Sequence, residues 1–340
     1  MKIHQKSFFN SLLLLSFLGI SMSVLAESVK DEASKPVVEQ IVNTLSKLAG
    51  DPHPGYRKNH AKGIVALGQF VPSPEAKTVS SAIHFQTEPT NVTIRFSNAT
   101  GLPTIPDADP NAFPKGIAIR FNLGDEGYTD IVNISVNGFP AASPEDFLGL
   151  LNAIAASGPE VEQPSPIVEY LDSHPAAKRF VEIPKPAPTS FATQSFYGVN
   201  AFKFTNSNGD EQYGRYILKP VNGESFLNDE QRKMAQDNYL MDELPLRLQI
   251  AAFQYHLSVQ IAADNDDVND ATIIWPSSRE IVELGTLTVN QIDPDGEAFA
   301  KMNMYNPLAL TEGIEPSDDP ILMARPGAYA VSFGRRVSGQ

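Results

Sequence analysis

Apolar positions change their period several times along this chain, and each change marks an element. Behind Pro36, the residues Val37, Val38, Ile41, Val42, Leu45 and Leu48 recur every three or four positions, which predicts an amphipathic helix within residues 27–50. The Asp-Pro-His-Pro-Gly stretch at 51–55 ends it, because Pro and Gly interrupt helical hydrogen bonding. β-Branched or alternating apolar residues predict strands at 81–87, 91–97, 116–122 and 131–136. Ser143, followed by Pro144 and then Asp146, has the form of a capped helix start, and Phe147, Leu148, Leu150, Leu151 and Ile154 supply its apolar residues. Residues 159–188 are proline-rich, with a short helix expected at 176–181. Strands resume at 198–205 and 212–219 around the turn 206–209, whose Asn-Gly ending favours a hairpin. A helix at 229–241 and strands at 249–262 and 283–290 follow. The last helix begins near Asp318 or Asp319 and carries Tyr329. Two clusters of strands, with helices between and after them, predict an α+β fold on a closed antiparallel sheet.

The chain's start reads differently. Lys2 and Lys6, the apolar run Leu12 to Ile20, and the small residues before Glu27 predict a signal peptide over residues 1–26. The run is shorter than the roughly 20 residues of a membrane span. The expectation is therefore an exported, periplasmic protein, free of the membrane, with residues 27–340 forming one domain. Its net charge of −14 becomes more negative still once the two signal lysines leave. That balance disfavours nucleic acid, which is held through Lys and Arg at its phosphates. With no cysteine in the chain, disulfides, thiolate-held metals and Cys nucleophiles are excluded.

Two local features could carry chemistry. His60 lies in Arg57-Lys58-Asn59-His60-Ala61-Lys62-Gly63, ahead of an apolar segment ending at Phe70. Taken alone it reads first as a structural histidine, and His84, His174 and His256 make no metal-ligand spacing with it or with one another. Arg325 and Tyr329, four apart, share one helix face, where a guanidinium can meet a phenol oxygen or simply pack on the ring. No P-loop, dinucleotide or Gly-x-Ser-x-Gly pattern is present.

The surroundings of both features resemble the haem catalases. Arg57 to Phe70 is similar to the distal pattern R-x-x-H-A-K-G-x-x-x-x-G-x-F. Ile94-Arg95-Phe96-Ser97 with Gly101, Pro114 to Phe121, Trp275-Pro276 and Gly313-Ile314-Glu315-Pro316-Ser317 resemble further catalase segments in the same order. Arg325 and Tyr329 fall on the proximal R-L-F-x-Y pattern. The resemblance runs from about Arg57 to Arg336 and implies the closed β-barrel catalase core with flanking helices. The chain ends soon after the tyrosine helix, which leads us to expect no C-terminal helical domain, as in the small catalase-related peroxidases. Two positions depart from the pattern. Aligned without a gap, Ile134 takes the slot of the distal Asn, with Asn133 and Asn137 nearby as alternatives to no Asn at all. Phe333 stands where catalases carry a histidine a turn after the tyrosine.

The resemblance implies haem b, with Tyr329 as its phenolate axial ligand and Arg325 bonded to that oxygen. It implies His60 as general base and then acid toward peroxide, with Ser97 fixing its tautomer. Arg57, Arg95 and Arg336 would pair with the haem propionates, and Phe147 would stack on the ring. The expected activity is reduction of hydrogen peroxide, and of organic peroxides, by small organic donors, with weak catalase activity beside it, in defence against oxidative stress. A haem-binding or storage protein is the other reading, and His60 separates the two, since storage needs no proton shuttle. Assembly into a homo-oligomer is left open.

Overall fold

The computed structural model describes residues 34–50 and 52–340, so the signal peptide predicted over 1–26 lies outside the described residues. The elements run α1 (Val37–Leu48), β1 (Gly63–Pro72), the single turn α2 (Ala76–Val79), β2 (Thr90–Asn98), β3 (Lys115–Asn122), β4 (Tyr128–Ile134), α3 (Pro144–Ala155), α4 (Pro166–Ser173) and α5 (Pro175–Glu182). After these come β5 (Phe196–Tyr197), β6 (Phe202–Thr205), β7 (Glu211–Pro220), α6 (Asp229–Met234), α7 (Tyr239–Ile250), β8 (Phe253–Ile261), β9 (Ile281–Ile292), α8 (Gly296–Met302), β10 (Ile314–Pro316) and α9 (Pro320–Ser338).

Eight strands close an antiparallel barrel in the order β7-β5-β4-β3-β2-β1-β9-β8, with β8 pairing back onto β7. Strand β6 shares an edge of β7 with β5 and carries β10. Alternation decides what each wall residue does. Ile94 and Phe96 of β2, Ile117, Ile119 and Phe121 of β3, and Ile131 of β4 point inward and join one apolar core with Leu218, Tyr255, Leu257 and Leu287. An eight-stranded barrel is just wide enough for side chains to fill, so this interior is packed. The intervening residues face out. The register stacks Arg95 beside Ala118 and Val132, and Ser97 beside Gly116 and Ile134, as two rows on the outer wall. Helix α1 packs on α3 and α9, and these three helices cover that wall.

Several elements formed where their patterns put them. Ser143 caps α3, its Oγ accepting from the Asp146 N–H at 3.1 Å. The turn after β6 is held by Asn206 Oδ1, which accepts from the backbone N–H groups of Asn208 and Asp210. Other expectations are corrected. Residues 81–87 are not a strand: Ile83–Phe85 is a single 3₁₀ turn, which tucks His84 and Phe85 among the interior aromatics. The helix expected at 229–241 is two helices, α6 and α7, broken at 235–238. The strand expected at 198–205 forms only over Phe202–Thr205, as β6, with no strand at 198–201, and β8 begins only at Phe253. Strand β1 and helix α4 lie where the sequence pattern marks no element. In β1 the apolar residues lie on both faces, so no alternation marked it.

Candidate active site

Between the outer barrel wall and the covering helices lies a cavity of ≈ 1440 Å³, a figure that includes its open mouth. Its lining includes His60, Arg57, Arg95, Ser97, Phe147, Arg325, Tyr329 and Arg336, so every site residue named from the sequence meets in one place. Val38, Ile41, Val42 and Leu45 of α1 complete an apolar wall.

His60 sits on the loop that enters β1. Its Nδ1 lies 3.0 Å from Ser97 Oγ on β2. Burial first, and then the charges of Arg95, Arg325, Arg57 and Lys115, hold its pKa at about 3. The imidazole is therefore neutral at ordinary pH and keeps an acceptor nitrogen. Gly116 makes room for it, because a Cβ there would stand 2.8 Å from Ser97 Oγ and 2.9 Å from His60 Nδ1.

Tyr329 comes from α9, whose cavity-facing residues Ile321, Arg325, Ala328, Tyr329, Ser332 and Arg336 form one stripe. Arg325 Nε donates to Tyr329 Oη at 3.0 Å, and Arg325 Nη1 donates to Asn200 Oδ1 at 2.7 Å. Asn200 in turn donates to Asp319 Oδ2 at 2.7 Å, and Asp319 caps α9 by accepting from the N–H groups of Ile321 and Leu322. The chain Asp319–Asn200–Arg325–Tyr329 thus ties the phenol to the helix start. Asn200 escaped sequence reading because it lies in coil, far along the chain from its partners.

Three further guanidinium groups, beside that of Arg325, converge on the same cavity. Arg57 donates to the Asn303 carbonyl at 3.0 Å, and Arg336 donates to the carbonyls of Asn303 and Lys301. Arg95 donates to the carbonyls of His60 and Ala61, while its buried Nε has no partner. Among the described residues none of the three is paired with a carboxylate. Burial lowers Arg95 and Arg336 to about 10, and burial together with repulsion from Arg95 and Arg336 lowers Arg57. Buried cations without counter-ions are costly unless an anion accompanies them. The donor set fits a planar apolar ligand that carries carboxylates.

The alternatives for the distal amide separate by strand face. Ile134 shares the outward row with Ser97 and Gly116 and lines the cavity. Asn133 also borders the cavity, but it pairs with Ile117 in the inward row, and its Nδ2 is buried without a partner. Asn137 is not among the lining residues. Among the described residues no group of three His, Cys, Asp or Glu side chains could hold a metal ion. No helix among them is long and apolar enough to cross a membrane.

Comparison with known proteins agrees with this arrangement. The catalase family model matches residues 41–340. A catalase-related peroxidase of Synechococcus elongatus is 32% identical over 331 residues, covering 96% of each chain. Another, from Mycolicibacterium paratuberculosis, is 32% identical over 85% of this chain and 91% of its own. Among solved structures, a fungal catalase superposes with a TM-score of 0.75 at 22% identity, over 88% of this chain and 62% of that one. Catalase A of Saccharomyces cerevisiae gives 0.74 at 21% identity, over 88% of this chain and 64% of its own.

Proposed function

Since the chain belongs to the catalase family, whose members are haem oxidoreductases acting on peroxide, we propose that it is a peroxidase that reduces hydrogen peroxide and organic peroxides with small organic donors, with weak catalase activity beside it. Tyr329 is the residue that would bind the iron of haem b, and the charge-assisted hydrogen bond from Arg325 suits a phenolate oxygen. Arg57, Arg95 and Arg336 would take the propionates, which supply the missing counter-ions, and Phe147 offers an aromatic face to the ring. When bound, the haem supplies the redox centre at which the peroxide O–O bond is cleaved.

His60 does the proton work. With Nδ1–H turned to Ser97 Oγ, the Nε2 atom is free to accept a proton from peroxide and return it to the departing oxygen, which leaves as water. A second peroxide used as reductant would need its own orienting group. Ile134 offers none, which favours organic donors. Export to the periplasm, read from residues 1–26, belongs to the same proposal, as does a role against oxidative stress.

One observation carries the reading: a buried histidine, hydrogen-bonded to Ser97, shares its cavity with the Tyr329–Arg325 pair. A haem carrier has no use for the first. The test is the absorption spectrum of the purified protein before and after peroxide, for wild type, Tyr329→Phe and His60→Ala. Tyr329→Phe is expected to lose haem or its ferric spectrum. His60→Ala is expected to keep haem and to respond to peroxide at least ~100-fold more slowly. A His60→Ala response as fast as wild type hands the protein to the carrier reading.

A further inference from the structure

Among the described residues, two other than glycine have positive φ: His60, at 54°, and Thr100, at 78°. The left-handed region is unfavourable for L-residues, most of all for a β-branched one such as Thr100, and it persists only where the surroundings hold it. Both are held by the same atom. Asn59 Oδ1 accepts the His60 N–H at 3.0 Å and the Thr100 N–H at 2.8 Å. Around this point the loop is pinned to the end of β2. Ala61 N–H donates to the Thr100 carbonyl, Asn98 N–H donates to the Lys62 carbonyl, and Gly101 passes so close that a Cβ would stand 2.7 Å from the Lys58 carbonyl oxygen.

We propose that Asn59 is a positioning residue for proton transfer, holding His60 in its left-handed backbone conformation so that the imidazole faces the cavity. The inference rests on the reading of His60 as the proton shuttle. His60 is fixed at three points: its ring by Ser97 Oγ, its carbonyl by Arg95, and its N–H by Asn59. Ser97 restrains the ring only where the backbone has already delivered it. Rotation about φ from 54° to a negative value swings the ring away from Ser97, and the two amides that converge on Asn59 Oδ1 are what oppose that rotation. Without an acceptor at position 59 they would lose their partner in the left-handed form and keep no reason to converge.

The test uses the haem-loaded protein and two rates per bound haem: cyanide association with the ferric form, and the spectral response to peroxide. Hydrogen cyanide gives up a proton as it binds, so its association reports the distal base without turnover. Asn59→Leu removes the acceptor. It is expected to keep the ferric spectrum and to lower both rates at least ~10-fold, a fraction of the roughly 10²–10⁴-fold that a positioned acid–base group contributes. Asn59→Asp keeps an acceptor oxygen of the same reach and is expected to restore both rates. Its added carboxylate should also move the acid limb of the cyanide pH profile upward, because a nearby anion favours the imidazolium over the opposing charges of Arg95, Arg325, Arg57 and Lys115. A purely structural Asn59 would lower yield or stability and leave both rates per haem unchanged, which overturns the proposal. Equal slowing in Asn59→Leu and Asn59→Asp overturns it too, since the acceptor would not be the cause. Should Asn59→Leu not fold, Asn59→Ser, whose hydroxyl is too short to bridge both amides, stands in with the same expectation. His60→Ala runs beside them. If it matches wild type, the shuttle reading fails and takes this one with it, whereas a slow His60→Ala with a fast Asn59→Leu removes Asn59 alone.

Discussion

His84 gives the sharpest test of the packing inside the barrel. Its ring is 1% exposed, lies 3.9 Å from the Phe85 ring and 4.7 Å from the Phe121 ring between centroids, and neither of its nitrogens has a hydrogen-bond partner. Burial lowers its pKa from 6.5 to about 3. The sign follows from linkage. The unfolded chain takes up a proton here below pH 6.5 and the folded chain does not until about pH 3, so the stability conferred by a neutral His84 is complete above 6.5 and declines as the pH falls toward 3. At about pH 4.5, two units below the unfolded value and at roughly 1.4 kcal/mol per unit, the loss is about 3 kcal/mol. That is a substantial part of a typical folding free energy of about 5–15 kcal/mol. His84→Leu removes the titration. Urea unfolding of both proteins at about pH 7.5 and about pH 4.5 yields a difference of differences in which the packing change cancels. The variant is expected to lose about 3 kcal/mol less than wild type between the two conditions. Equal losses would refute the argument and mean that His84 gains a proton, or water, inside the fold.

Three further outcomes are expected. Gly116→Ala places a methyl against Ser97 Oγ and the His60 ring, so the peroxide response should slow at least ~10-fold while haem is retained, as stopped-flow absorbance will show. Ile134→Asn introduces an amide on the outward row beside Gly116, in the cavity that His60 also lines, and oxygen evolved from hydrogen peroxide per haem should rise about tenfold at an oxygen electrode. No rise would mean that the missing amide does not limit catalase turnover. Mass spectrometry of the native protein should find Glu27 at the N-terminus, and recovery of the Met1 form would show that no signal is cleaved.

What the sequence determined by itself was local. The Ser143 cap, the Asn206 turn and the strands of Arg95 and Gly116 rest on neighbours in the chain, and their patterns survive in the fold because nothing distant competes with them. Arg325 and Tyr329 met for the same reason, four residues apart on one helix. The family resemblance named the eight cavity residues by their order along the chain, yet it carried no information about which of them touch. Tertiary structure decided what depends on a face or on a distant partner. Residues 81–87 alternate like a strand, but the barrel interior takes His84 and Phe85 as a plug and leaves no edge for the segment to pair with. Asn133 and Ile134 adjoin in sequence and face opposite sides of β4, because side chains alternate every residue, and that places Ile134 in the outward row with Ser97 and Gly116. Asn200 and Asp319 meet only when coil beside β6 folds against the start of α9. The convergence of three arginines that have no carboxylate partner among the described residues needs a loop, a strand and a helix at once, and no pattern shorter than the whole fold specifies it.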